Sequence, residues 1–192
     1  MSTLSFKDKA RYANARIATS LARFRDDVRG LSGIEFAMIA PMLVGVYLGV
    51  AETALGVTNS RKVSRVASVL SDLVAQTESI TASQVDGIMN ASSAVMAPFS
   101  SAGLTIRVIG VKINSRGVAR VAWSKSRNGS APAVGSIYPI PNDIRIADSF
   151  LIVTNVTYDY SPSLGANLTG TFHFNEKNYN VPRTSSTVGY SS

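Results

Sequence analysis

From Phe36 to Ala51, sixteen consecutive residues carry no charge, and small or apolar residues extend the run to Gly33 and Thr58 around two carboxylates, Glu35 and Glu52. As a helix rising about 1.5 Å per residue, the uncharged core covers about 24 Å, and the extended stretch exceeds the about 30 Å of a hydrocarbon layer. The pattern predicts a membrane-spanning helix over 31–58. Beyond it the apolar positions thin to one stripe. Val63, Val66, Ala67, Leu70, Leu73 and Val74 recur at intervals of three and four, with Arg61, Lys62, Arg65 and Asp72 on the remaining faces. One helix from about Ser32 to Gln76 is expected, its second half laid against a domain.

Thr81-Ala82-Ser83-Gln84 is a capping box, opening a second helix that should run to about Ala97 before Pro98 stops it. From Leu104 the period shortens to two. Leu104 to Ile113 reads as a strand with an irregularity at Gly110, Asn114 to Gly117 as a turn, and Val118 to Ser124 as the returning strand. Ser126 to Asn142 is rich in Gly, Ser, Pro and Asn and reads as a loop exposing Tyr138 and Ile140. Phe150 to Tyr160 is the strongest strand and belongs at the centre of a sheet. Ser161 to Gly165 turns the chain, Leu168 to Phe174 gives a fourth strand, and the Ser/Thr-rich tail from Asn175 is either mobile or laid along a sheet edge. The fold class is α+β: a long N-terminal helix, a short second helix, and a small antiparallel sheet.

Charge orients the chain. The net charge is +7, but residues 1–30 hold seven basic and three acidic side chains while residues 31–192 hold twelve and nine. The basic excess before the apolar run favours a cytoplasmic N-terminus, with the C-terminal part on the other side of an inner membrane, periplasmic or extracellular. Within the leader, Ile17, Leu21, Phe24 and Val28 mark one face of an amphipathic helix suited to an anionic leaflet. The mildly basic remainder gives no support to nucleic-acid binding.

Candidate chemistry is sparse. With no cysteine, disulfides, thiolate metal sites and thiol redox chemistry are excluded. The one histidine, His173, sits between Phe172 and Phe174 in a strand and reads as structural. There is no phosphate-cradling loop, no catalytic carboxylate pair and no metal-ligand cluster, so neither a catalytic residue, a cofactor nor a metal is expected, and the chain does not read as an enzyme. Asn128, Asn155 and Asn167 open glycosylation-like triplets, which recur by chance in so Ser/Thr-rich a sequence.

The residue that needs a reason is Glu35, a carboxylate inside the apolar boundary, where an unpaired charge costs at least about 2.5 kcal/mol. Gly30 precedes it by five positions, at the end of the basic leader. Gly45, Gly49 and Gly56 offer a smooth face for close helix packing, and Pro41 removes one backbone donor and favours a kink.

The string Arg29-Gly30-Leu31-Ser32-Gly33-Ile34-Glu35-Phe36-Ala37-Met38-Ile39-Ala40-Pro41, followed by Val50-Ala51-Glu52, resembles the processing region of the TadE/TadG-like family, the minor pilins or pseudopilins of the tight-adherence (Flp) type IV pilus system. The resemblance covers residues 25 to 60. It implies a pilin-like protein whose leader, residues 1–30, is removed by a prepilin peptidase; a transmembrane helix at 31–58; an extended helix and second helix at 59–100; and a β-rich outer domain at 101–192. It further implies that Glu35 pairs with the Leu31 amine, that Pro41, Gly45, Gly49 and Glu52 serve helix packing, and that the partners are other pilins, an inner-membrane assembly platform and membrane lipid, in the service of surface attachment. Val153 to Pro162 and Val181-Pro182-Arg183 match the family more weakly. Two other readings use the same residues. Gly49-Val50-Ala51 suits a general signal peptidase, which would release a protein starting at Glu52, and an anchored or secreted adhesin-like module would use the Ser126 to Asn142 loop as its contact surface.

Overall fold

The structure, a computed structural model, describes residues 29–162 and 170–191. The leader helix, the first residues of the expected fourth strand, Asn167 and most of the turn after Ser161 lie outside the described residues. The chain divides into two compact units, residues 1–49 and 50–192.

One helix, α1 (Arg29–Ala75), accounts for the described part of the first unit and opens the second. It runs through Pro41, whose missing N–H costs the Ala37 carbonyl its partner in the ladder. In the second unit, Glu52, Gly56, Asn59, Val63, Val66 and Leu70 are buried at alternating steps of four and three, with Ala67 and Val74 beside them. That seam is the stripe the periodicity predicts, except that Leu73 is exposed.

After α1 come β1 (Ser79–Thr81), α2 (Ala82–Asn90), α3 (Ser92–Met96), β2 (Leu104–Ile113), β3 (Ala119–Arg127), a 3-10 turn (Asn142–Ile144), β4 (Phe150–Tyr160), β5 (Phe172–Asn180) and β6 (Gly189–Ser191). The capping box forms as expected, with Thr81 and Gln84 satisfying each other's backbone N–H groups. The predicted single helix to Ala97 is instead two pieces. At Ala91 the N–H is shared between the Gly87 and Ile88 carbonyls, which tightens the turn and ends α2.

β2 to β5 form an antiparallel sheet in the order β3-β2-β4-β5, so β4 is central as its sequence implies. The fourth strand begins at Phe172, later than expected. Even-numbered residues of β2 and β4 (Leu104, Ile106, Val108, Ile152, Val156, Tyr158) face the α1 seam, with Val85, Met89 and Met96 of α2 and α3 completing that core. Odd-numbered ones (Ile109, Val111, Ile113, Leu151, Val153) face a second, smaller core.

On β3 the alternation breaks. Gly110 pairs with Trp123 but Val111 pairs with Val121, leaving Ala122 as an extra residue. The bulge sends Trp123 into the first core and Val121 and Ala119 into the second. Gly110 is required there: a β carbon would stand 2.8 Å from Phe150 Cζ and nearer still to the Trp123 ring.

One sequence expectation is corrected here, and one is made more definite. The Ser126 to Asn142 loop does not present Ile140, which is 3 % exposed, or Tyr138, which is partly buried; both cap the second core. The loop also covers the β3 edge, through Val121 N–H to the Ser136 carbonyl and Tyr138 N–H to the Ala119 carbonyl, while Val134 and Ile137 stay exposed. The tail is not loose: Asn175 to Asn180 complete β5 along the edge of the main sheet, and only the residues beyond it leave that sheet. β6 pairs in parallel with β1, Val188 is buried, and the Tyr190 ring stacks on Trp123 at 5.2 Å.

Candidate membrane-anchoring and assembly site

In the first unit, the described side chains of α1 from Gly33 to Gly49 are exposed, apart from partial cover at Ala40 and Leu48. Ile34, Phe36, Met38, Met42 and Tyr47 each show more than 60 % of their surface. Leaving large apolar side chains in water forgoes about 1.5–3 kcal/mol apiece relative to burial. A run of ten or so therefore calls for a non-aqueous surrounding. This helix is long and apolar enough to cross a membrane.

Gly30 and Leu31 lie in the first turn of α1. Glu35 is exposed, one turn farther on. Gly45 and Gly49 have no neighbouring atoms where a β carbon would project, so the stripe is open to close approach by another helix. Pro41 is likewise exposed.

Glu52 belongs to the second unit. Although placed on the packing face with the glycines by the sequence, it is only 6 % exposed, and the Tyr160 hydroxyl donates to its Oε2 over 3.4 Å. Tyr160 is wedged between Phe99, edge-on, and Phe172, stacked, each with ring centres 6.4 Å away. Burial first, and the nearby Glu52 carboxylate second, push the Tyr160 hydroxyl above its ordinary pKa. On the same side of the helix, Thr53, Gly56, Val57 and Ser60 form an apolar groove with Phe172 and Phe174 of about 310 Å³.

No family model, no curated protein and no solved structure matches the chain.

The remaining candidates are brought to ordinary surface or packing roles. His173 is exposed and its Nδ1 lies 2.7 Å from Asp159 Oδ1, a cross-strand pair between β5 and β4. No cluster of metal-ligating side chains occurs among the described residues. Asn128 spends its amide on the Ala102 and Leu104 carbonyls, and Asn155 is buried, so neither offers a free glycosylation acceptor.

A feature that sequence reading placed only on the faces away from the apolar stripe is the cationic side of α1 just after the apolar run. Arg61, Lys62 and Arg65 line an open pocket of about 470 Å³ with Thr58, Ala94 and Val95. Lys62 Nζ donates to the Val95 and Ala97 carbonyls at 3.2 and 2.6 Å, tying α1 to the end of α3. The i, i+4 spacing of Arg61 and Arg65 was the available signal.

Proposed function

We propose that the chain is a minor pilin or pseudopilin of a tight-adherence type pilus, anchored by α1 and carrying a small α+β domain on the outer side. What supports the reading is the placement of one carboxylate, Glu35, five residues after Gly30 in a helix whose following apolar side chains are exposed. In this reading a prepilin peptidase cuts after Gly30, and the Leu31 amine pairs with Glu35 of the same or a neighbouring subunit. At an effective dielectric of about 20, two charges about 4 Å apart attract by about 4 kcal/mol before desolvation, enough to prefer one axial register. Gly45 and Gly49 then let neighbouring helices pack closely, and the partners are other pilins, the assembly platform and lipid. The reading assigns the chain no catalysis of its own.

Intact-mass measurement and N-terminal sequencing of the protein recovered from membranes test this. A start at Leu31 is expected. A start at Met1 in cells with an active pilin-processing enzyme, or at Glu52, overturns it.

A further inference from the structure

Arg61 and Arg65 are adjacent on one face of α1, four residues apart, and both are exposed. Neither has an ion pair or hydrogen-bond partner among the described residues. Their neighbour Lys62 is already held by two carbonyls, and among the described residues no acidic side chain lines the pocket they share. Three carboxylates of this unit are engaged away from it: Asp72 with Arg183, Asp86 with Lys125, and Asp159 with His173. Two guanidinium groups aimed into one cavity beside an ammonium make a strong anion field, and their planar forks match the oxygens of a phosphate.

Position along the helix identifies the source of that phosphate. The about twenty residues that a span requires, counted from Phe36, end at Leu55. Leu55 and Val57 are still exposed apolar side chains, and Arg61 follows Val57 by four residues, about 6 Å of helix rise. Long arginine side chains at that level reach the headgroup layer. We infer that the Arg61–Lys62–Arg65 pocket binds the phosphodiester of an anionic phospholipid headgroup in the outer leaflet. A zwitterionic headgroup is disfavoured because its own ammonium would approach three cations. This inference rests on the membrane-spanning reading of α1.

The test uses the full chain purified in neutral detergent, titrated with short-chain phosphatidylglycerol or phosphatidylcholine, and read by native mass spectrometry. Phosphatidylglycerol adducts should exceed phosphatidylcholine adducts about tenfold. They should fall to the phosphatidylcholine level in R61Q/R65Q and largely return in R61K/R65K, at the several-fold effect expected per basic residue near an anionic surface. The exposed-turn control R116Q should change nothing, and unchanged thermal melts show that the variants fold. Equal retention of the two lipids, or equal loss in R116Q, overturns the proposal. Displacement of the adduct by millimolar inorganic phosphate would assign the pocket to a free anion, and stronger binding of a glutamate-rich peptide would assign it to a protein partner; either result also overturns it. Carbonate extraction of the chain from mixed phosphatidylcholine–phosphatidylglycerol vesicles separates the two levels: release removes the membrane reading and the pocket together, whereas retention without headgroup preference removes only the pocket.

Discussion

The hydroxyl of Tyr160, near the end of β4, donates to the carboxylate of Glu52 on α1 across 108 positions of chain. The contact joins the strongest strand to the helix where the apolar run gives way to the buried seam. It also turns a carboxylate that would be costly in hydrocarbon into part of a domain interior. Replacing Tyr160 by Phe keeps the Phe99 and Phe172 ring contacts and deletes one long hydrogen bond. A loss of about 1 kcal/mol is expected in denaturant unfolding of the full chain in detergent, and Y160A should lose several times that.

Gly110→Ala should be among the most damaging conservative changes. The added methyl collides with Trp123 and Phe150, and overpacking of this kind costs about 1–3 kcal/mol. The same unfolding measurement reads it, and V108A, which opens space instead, separates crowding from cavity effects.

Alkaline stability follows from three tyrosines. Tyr138, Tyr158 and Tyr160 are all raised above 10.0, in each case chiefly by burial. Above about pH 10 the unfolded chain therefore releases protons that the folded chain retains. The contribution is full below pH 10 and is lost as pH rises through the raised values. Unfolding midpoints should fall between pH 9 and pH 11, and less steeply in each Tyr→Phe variant.

The single tryptophan reports on the tail. Trp123 Nε1 donates to the Val188 carbonyl at 2.9 Å and its ring carries Tyr190. Truncation before Ser185 should red-shift Trp123 emission and lower stability by about 2 kcal/mol or more, the worth of burying Val188 and satisfying one indole N–H.

Glu35→Ala tests assembly apart from insertion. Membrane extraction behaviour should be unchanged, because the substitution only makes α1 more apolar, while incorporation into filaments should drop about tenfold or more. Unchanged incorporation counts against the pairing with the Leu31 amine.

Much of this fold was legible because its signals are local. The α1 stripe, the Thr81–Gln84 box, the irregularity at Gly110 and the central rank of β4 each rest on neighbours within a few residues. What escaped depends on partners far away in sequence. The pairing of Ser79–Thr81 with Gly189–Ser191 joins segments too short to carry a periodic pattern. Tyr138 and Ile140 lie among prolines and glycines that suggest exposure, yet the second core needs a cover and they supply it. Glu52 sits in step with the helix-packing glycines, and only β4 reveals that its carboxylate is enclosed within the same chain. For Gly30, Glu35, Gly45 and Gly49 the sequence remains the principal source of meaning, since what they are proposed to meet is another molecule.

Ala122 shows how narrowly the sheet's two sides are apportioned. Shortening β3 by that one residue would restore strict alternation and leave the strand unable to serve both interiors: either Trp123 turns away from the tail it holds, or Val121 and Ala119 trade places with water. Length changes within β3 should thus be far less forgivable than those between Asn128 and Val134, and a one-residue deletion in β3 would set the two hydrophobic layers in competition for the same strand.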